Sequence, residues 1–140
     1  MYAKILVGTD GSETAENAVR HAARLARMAG AELLLLHVAP TVPGAPALGL
    51  PIPDPEAIRS GGREILERAE AAAGDDVKVR TLMLQGDPAE ALLDTAEEEG
   101  VDLIVVGNRG MQGAKRFFLG SVPDRVAHHA SCSVLIVHTT

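Results

Sequence analysis

Short apolar runs rich in β-branched residues alternate with longer stretches of helical periodicity along this sequence of 140 residues. The runs have the length and composition of β-strands, and the longer stretches repeat apolar residues every three or four positions. Such alternation is typical of a parallel sheet with helices on both faces and right-handed crossovers. The predicted strands are Ala3–Thr9, Glu32–Val38, Val77–Leu84, Asp102–Gly107 and Ser133–His138.

Helix-capping residues bound several of the stretches between these strands. Gly30 and Gly100 stand where a C-cap glycine is expected, and Asp87-Pro88 is a favourable N-cap and first-turn pair. The predicted helices cover Ala15–Ala29, Asp54–Ala73, Pro88–Glu99 and Ser121–Ala130.

The apolar content of the strands predicts their order in the sheet. Leu33–Val38 and Leu103–Val106 are continuously apolar, as central strands covered on both faces are. Apolar and polar residues alternate from Val77 to Leu82, which is typical of an edge strand. The order 3-2-1-4-5 satisfies both observations and opens a crevice at the carboxyl ends of the first and fourth strands. We therefore predict a single α/β domain of three layers around a five-stranded parallel sheet.

Net charge and cysteine content argue against several classes of function. The formal net charge is −6, and an acidic chain without clustered Lys and Arg is a poor partner for nucleic acid or an anionic membrane. Cys132 is the single cysteine, so no internal disulfide and no cysteine metal cage can form. The N-terminal residues lack a secretion signal, and no apolar run approaches the length of a membrane helix. These features predict a cytoplasmic protein.

A proline-rich segment, Ala39–Pro55, interrupts the alternation of strands and helices. It holds six of the eight prolines and almost no charge. A connection of this length is commonly a functional lid or a disordered stretch, and the sequence leaves its role open. The length of the chain is typical of one domain, so we expect one domain over residues 1–140 that includes this segment as a flexible loop.

Glycines are concentrated between the fourth strand and the last helix. Gly107 ends the strand, Gly110 follows after two intervening residues, and Gly120-Ser121 begins the helix after nine more residues. Glycine accepts positive φ and lets a ligand approach the backbone. A helix N-terminus offers N–H groups and a dipole that favour an anion such as phosphate, and Arg109 is a nearby cation. A simple turn that joins strand to helix is the alternative interpretation.

A second candidate, Asp10, follows the first strand in the run Gly8-Thr9-Asp10-Gly11-Ser12, at the same edge as the crevice. Its carboxylate can hold Mg²⁺, directly or through water, or accept hydrogen bonds from a ribose. Alternatively, Asp10 or Ser12 caps the first helix. The ligand role and the capping role do not exclude each other.

Several known phosphate-handling classes do not fit the sequence. The motif of P-loop NTPases does not occur, and the Gly-x-Gly-x-x-Gly motif of dinucleotide-binding domains is missing after the first strand. A receiver domain needs a phosphoryl-accepting Asp at the end of the third strand. The chain has Leu84-Gln85-Gly86 there, which excludes this class.

Nearly the whole sequence resembles the universal stress protein family. The nucleotide signature of that family is Gly, two residues, Gly, nine residues, Gly and then Ser or Thr, and Gly107, Gly110, Gly120 and Ser121 match it in full. The resemblance implies a member that binds ATP, in a fold related to adenine nucleotide alpha hydrolases and flavodoxin. The other segments of this sequence that resemble the family are Lys4–Ser12, Leu35–Val38, Asp102–Gly107 and Ser133–Val137.

The resemblance also implies roles for individual residues at an ATP site. Residues at the end of the first strand and directly after it are expected at the ribose or phosphates, with Asp10 holding Mg²⁺ directly or through water. Residues that end the second and fourth strands are expected at adenine and ribose, and the glycine signature is expected to wrap the phosphates. The three groups are Gly8, Thr9 and Asp10; Val38, Ala39, Val106 and Gly107; and Arg109, Gly110, Gly120, Ser121 and Val122.

The leading hypothesis is a regulatory ATP-binding protein of the stress response that works as a homodimer. The family commonly pairs through its last strand, here Val134–His138, and an exposed edge strand invites such pairing. Two alternatives stay open: a slow ATPase or nucleotide-processing enzyme, and an interaction module with an empty pocket. Hydrolysis needs a group that orients water. The sequence offers no residue for that task, so at most weak ATP hydrolysis is expected.

Overall fold

The structure, a computed structural model, describes residues 2–39, 41, 44–108 and 120–138. Within these ranges strands and helices alternate as the sequence predicts. The strands are β1 (Lys4–Gly8), β2 (Glu32–Ala39), β3 (Val79–Gln85), β4 (Leu103–Gly107) and β5 (Ser133–Val137), and the helices are α1 (Glu13–Ala29), α2 (Pro55–Ala73), α3 (Pro88–Glu99) and α4 (Ser121–His129).

The five strands form one parallel sheet in the order β3-β2-β1-β4-β5. β1 lies at the centre, where Leu6 is opposite Leu34 of β2 and Ile104 of β4. Helices α1 and α2 cover one face of the sheet, and α3 and α4 cover the other. The predicted three-layer fold and strand order are therefore confirmed.

Two element boundaries differ from the prediction by two residues, whereas the other boundaries agree with it to within one residue. β3 begins at Val79 rather than Val77, because α2 ends at Ala73 with Gly74 as its C-cap, and residues 75–77 turn the chain before the strand. Its exposed residues, which include Arg80 and Thr81, agree with the predicted edge position. α1 begins at Glu13 rather than Ala15, because the Ser12 hydroxyl caps it by accepting from the Ala15 N–H at 3.2 Å.

The predicted helix caps are present. Gly30 and Gly100 have φ of 67° and 66° and end α1 and α3 in the left-handed conformation. A side chain with a Cβ adopts this conformation only at a cost, which explains glycine at both positions. The Asp87 side chain caps α3 by accepting from the Glu90 N–H at 2.9 Å.

The core consists of two aliphatic clusters, one on each face of the sheet. Leu33 and Leu35 of β2 face α1 and α2, whereas Leu34 and Leu36 face α3 and α4, and all four are fully buried. Burial of each such side chain contributes about 1.5–3 kcal/mol. Alanines on the inner side of α1 let this helix lie close to the sheet; they are Ala18, Ala22, Ala23 and Ala26.

An ionic cluster lies on the surface near the amino end of the sheet. Glu32 lies 3.3 Å from Lys78 Nζ and 3.5 Å from the guanidinium of Arg80, which also binds Glu99. The hydrogen bond from Arg80 holds the pKa of Glu99 below its usual value. At the same end, the Asp102 carboxylate accepts from the N–H groups of residues 3 and 4, at 2.9 and 3.2 Å. These contacts join β1, β2, β3 and the segment before β4.

Two further observations concern the helices and the proline-rich segment. Among the helices that the structure describes, none combines the length and the apolar character needed to cross a membrane. Residues 44–50 form successive turns, in which the Leu50 N–H donates to the Ala45 carbonyl at 3.0 Å. Leu48 and Ile52 are 70% and 72% exposed, and α2 begins immediately after its N-cap, Asp54.

Candidate functional site

A crevice opens where the prediction placed it, at the carboxyl ends of β1, β2 and β4. The first turns of α1, α3 and α4 reach its rim through Thr14, Pro88 and Val122. Most of the lining is apolar, and hydroxyl groups with one carboxylate lie at the end of β1. The apolar residues include Leu36, Val38, Leu92, Val106 and Pro123, and the polar ones are Thr9, Asp10, Ser12 and Thr14.

The turn between β1 and α1 holds Asp10 in a defined conformation. Asp10 Oδ1 accepts from the Ser12 N–H at 2.9 Å, and Thr9 Oγ1 accepts from the Gly11 N–H at 3.1 Å. Gly11 has φ of 83°, which permits the tight turn. Among the described residues, the bond from the Ser12 N–H is the only hydrogen bond that the Asp10 carboxylate accepts, so its second oxygen is open to a further partner.

A single carboxylate with one uncommitted oxygen suits Mg²⁺, which takes one or two carboxylates and completes its shell with phosphate oxygens and water. Asp10 is the one carboxylate among the described lining residues. No group of three or more His, Cys, Asp or Glu in the described part of the chain has the arrangement of a metal site. The residues present therefore fit a cation that arrives with phosphates rather than a cation held by protein alone.

The N-terminus of α4 presents backbone amides rather than a side-chain cap. Gly120 is the N-cap, and no side chain in the described residues caps the helix there. The first helical hydrogen bond runs from the Asp124 N–H to the Gly120 carbonyl at 3.1 Å. The amides of Ser121 and Val122 therefore have no acceptor within the helix, and Pro123 has no N–H. Such a helix end attracts an anion.

The backbone conformation at Gly107 and Gly120 does not require glycine. Gly120 has φ of −61°, and neither residue has positive φ, so a residue with a side chain can adopt either conformation. Gly120 is buried, and its N–H donates to the Asn108 carbonyl at 3.1 Å.

An ion pair joins two helices near the crevice. Arg125 Nη1 of α4 lies 3.0 Å from Asp87 Oδ1 at the start of α3. The hydrogen bond from Arg125 lowers the pKa of Asp87 from its ordinary value, and the Glu90 amide acts in the same direction. The pair holds the first turns of α3 and α4 together, next to the lining residues Pro88 and Val122.

The structure brings together most of the predicted site residues that it describes. Ala39 ends β2 and is buried, but it does not line the crevice, and its carbonyl accepts from the Gly86 N–H at 2.9 Å. Gly120 and Ser121 precede the lining residue Val122 at the start of α4. Arg109 and Gly110 lie outside the described residues. The predicted residues that line the crevice are Gly8, Thr9, Asp10, Val38, Val106, Gly107 and Val122.

The sequence analysis missed the contribution of α3 and of the inner face of β2. Leu92 and Pro88 come from α3, and Leu36 comes from β2 beside the predicted Val38. The signal for Pro88 was available, because it starts the helix after β3 and parallel strands bring such starts to one edge. Leu92 carries no polar group, so no motif identifies it.

Comparison with known proteins identifies solved structures with the same fold. One is a structure described as a universal stress protein in complex with cAMP. Its sequence is 35% identical to this chain, and the match covers 99% of this chain and 98% of that protein. The two structures superpose with a TM-score of 0.70. The universal stress protein of Archaeoglobus fulgidus in complex with dAMP is 25% identical, with a TM-score of 0.73 and coverage of 96% and 97%. Both proteins share the fold of this chain and bind an adenine nucleotide.

The sequence comparisons agree with the structural ones. The universal stress protein YxiE of Bacillus subtilis is 40% identical over 148 residues, which cover 98% of this chain and 99% of the relative. The model of the universal stress protein family matches residues 1–138. From a match of this extent and a relative this similar over its full length, it follows that the chain belongs to the universal stress protein family.

Proposed function

We propose that this universal stress protein binds ATP in the crevice and acts as a regulatory nucleotide-binding protein. The observation that carries the proposal is the pairing of the α4 N-terminus, which no described side chain caps, with the Asp10 carboxylate across one crevice. The complexes of two related proteins with cAMP and dAMP support an adenine nucleotide as the ligand.

The phosphates are proposed to bind along the glycine signature. In this arrangement Gly107, Gly110 and Gly120 leave room for the phosphate chain, and the amides of Ser121 and Val122 donate to it. Arg109 adds positive charge. Hydrogen bonds to a charged group contribute about 1.5–3 kcal/mol each. Three or four of them approach the ~8 kcal/mol that a micromolar site requires.

The base and ribose are proposed to occupy the apolar part of the crevice. Val38 and Val106 line it from β2 and β4, and adenine lies against them with a backbone contact at Gly107. Gly8 and Thr9 form the floor beneath the ribose. The Asp10 oxygen that Ser12 leaves uncommitted accepts from the ribose or holds Mg²⁺, directly or through water.

Isothermal titration calorimetry with ATP, ADP, AMP and cAMP, with and without Mg²⁺, tests the proposal. We expect the wild-type protein to bind ATP, and Gly120→Val to weaken binding by at least about tenfold, since its side chain fills the space beside the helix N-terminus. Gly61→Ala is the matched control, because it adds a methyl group in open space on α2. Its affinity should equal that of the wild type.

Two results would count against the proposal. The first is the absence of heat with all four nucleotides, in a wild-type protein that also carries no nucleotide through purification. The second is equal affinity in Gly120→Val and wild type. If the affinity for cAMP or AMP exceeds that for ATP, the proposed site stands but its ligand is that nucleotide rather than ATP.

The same proposal includes a homodimer in the cytoplasm that binds ATP rather than consuming it. β5 is an edge strand of the sheet, and a second copy can pair with it through Val134–His138. Such pairing satisfies the backbone groups that an edge strand leaves open. A turnover assay of wild type and Asp10→Ala should give rates near background in both. Steady hydrolysis that depends on Asp10 would favour the ATPase alternative.

A further inference from the structure

A buried histidine contacts the backbone of the turn between β1 and α1. It does so from the face of the sheet that α1 and α2 cover. His37 lies on β2, two residues after Leu35, and its side chain therefore faces α1 and α2. The residue is 7% exposed. Its Nδ1 lies 2.9 Å from the carbonyl oxygen of Thr9, 28 residues earlier in the chain.

The direction of this hydrogen bond fixes the proton on the ring. A carbonyl oxygen can only accept, so the Nδ1 atom of His37 carries the hydrogen and donates it. The ring itself is held by α2 and β3. A Cβ atom on Gly62 would lie 3.0 Å from His37 Cδ2 and 2.7 Å from the Met83 sulfur, so these groups leave the ring little space on that side.

The hydrogen bond sets the orientation of the peptide that leads into Asp10. The Thr9 carbonyl and the Asp10 N–H belong to one planar peptide unit, so a fixed carbonyl fixes the amide as well. The Thr9 N–H donates to the Leu36 carbonyl at 2.8 Å, and Thr9 Oγ1 accepts from the Gly11 N–H. Within the described part of the chain, His37 thus supplies the hydrogen bond that the Thr9 carbonyl accepts.

We propose that His37 is a positioning residue of the nucleotide site, which acts by fixing the Thr9–Asp10 peptide and so the direction of the Asp10 carboxylate. This inference rests on the proposed function. Without the Nδ1 donor, the Thr9 carbonyl loses its buried partner and the peptide can rotate. The Asp10 carboxylate then samples orientations that no longer meet the ligand.

Two substitutions at position 37 separate the donor from the bulk of the ring. His37→Asn places an amide N–H close to the position of Nδ1, whereas His37→Leu keeps an apolar side chain of similar size without a donor. We expect His37→Leu to weaken ATP binding by about tenfold and His37→Asn to restore most of it. Circular dichroism and thermal unfolding report whether each variant is folded.

A double-mutant cycle with Asp10→Asn tests the route of the effect. If His37 acts through Asp10, then His37→Leu should change affinity little once Asp10 is already replaced. Long-range ¹⁵N–¹H correlation spectra of the wild-type protein give an independent readout of geometry. They should place the proton of His37 on Nδ1.

The outcomes are distinct. Wild-type affinity in His37→Leu, loss in His37→Asn as large as in His37→Leu, or the full loss of His37→Leu in the Asp10→Asn background would each overturn the positioning role. A proton on Nε2 alone would overturn it without any nucleotide measurement. Lack of nucleotide binding by the wild type would instead overturn the proposed function on which the role rests.

Discussion

A Cβ atom on Gly62 of α2 would lie 2.7 Å from the sulfur of Met83 in β3. The neighbouring Gly61 is exposed, and a Cβ atom there would meet nothing within 4 Å. Both glycines are inside a helix and neither has positive φ. The two positions therefore differ in the space around them and not in backbone conformation.

We expect Gly61→Ala to raise the free energy of unfolding by about 0.5–1 kcal/mol, since glycine in a helix costs backbone entropy. Gly62→Ala should lack this gain or lose stability, because Met83 and His37 must move to admit the methyl group. Urea unfolding of both variants measures the difference. Equal stabilisation would mean that α2 does not pack on β3 as described.

The Asp87–Arg125 pair should stabilise the protein in a pH-dependent way. Arg125 lowers the folded pKa of Asp87 below its ordinary value of 3.8. The stabilisation is therefore full above that value and is lost as pH falls through the folded pKa. Unfolding of Asp87→Asn, Arg125→Met and the double variant gives the coupling free energy.

We expect this coupling to be favourable at pH 7 and to disappear in acid, and to decrease with added salt because both side chains are substantially exposed. Asparagine is also a good N-cap, so Asp87→Asn isolates the charge from the capping of α3. A coupling of equal size at neutral and acid pH would contradict the ion pair.

Core and surface methyl groups should differ strongly in their effect on stability. Leu34 is fully buried at the centre of the sheet, whereas Met28 is 84% exposed on α1. We expect Leu34→Ala to lower the free energy of unfolding by about 2–5 kcal/mol, and Met28→Ala to change it by less than ~0.5 kcal/mol. Chemical unfolding measures both. A small effect of Leu34→Ala would contradict the two-sided burial of β2.

The open edge of β5 gives a test of the proposed homodimer. The Val137 carbonyl accepts from the Asn108 N–H at 2.8 Å, on the β4 side. Backbone groups alternate along a strand, so those of Val134 and Ile136 point to the open edge. Val134→Pro removes one outward N–H and should convert the dimer to a folded monomer.

Sedimentation and circular dichroism measure assembly and fold in the same samples. Leu135→Pro is the contrasting variant, because its N–H is on the β4 side and its loss should destabilise the fold itself. A wild-type protein that sediments as a monomer at micromolar concentration, or a Val134→Pro variant that stays dimeric, would contradict pairing through β5.

Cys132 should react slowly with thiol reagents. The residue is half-buried between α4 and β5, and burial together with the Asp102 carboxylate raises the pKa of its thiol. A raised pKa leaves less of the reactive thiolate at neutral pH. The rate of reaction with Ellman's reagent at pH 7–8 should therefore lie below that of glutathione, and a faster rate would contradict the described environment.

The sequence predicts the strand order of the sheet because apolar residues follow a clear pattern in each strand. Continuous apolar runs identify β2 and β4 as central, and alternation identifies β3 as an edge strand. The starts of α1 and β3 were each predicted two residues from their positions in the structure, because local caps and turns decide where these elements begin. The sequence left open whether Asp10 or Ser12 caps α1, and their hydrogen bonds assign the cap to Ser12.

The sequence predicts those residues of the candidate site that lie at or directly after the end of a strand. Gly107 and Asp10 follow strands whose carboxyl ends meet at one edge. The contact between His37 and Thr9 depends on the register of β1 against β2 and on the side-chain conformation. Leu92 reaches the crevice because α3 packs against β1 and β2. Neither fact is encoded in a local pattern of residues.

The ionic cluster around Glu32 lies at the opposite end of the strands from the crevice. β1 alone has five residues, which separate the two ends by about 17 Å. A fluorophore or surface tether attached at Lys78 is thus carried on the far side of the molecule. Immobilised protein would keep the crevice turned to solution, so a surface-bound assay of the proposed nucleotide binding leaves the site accessible.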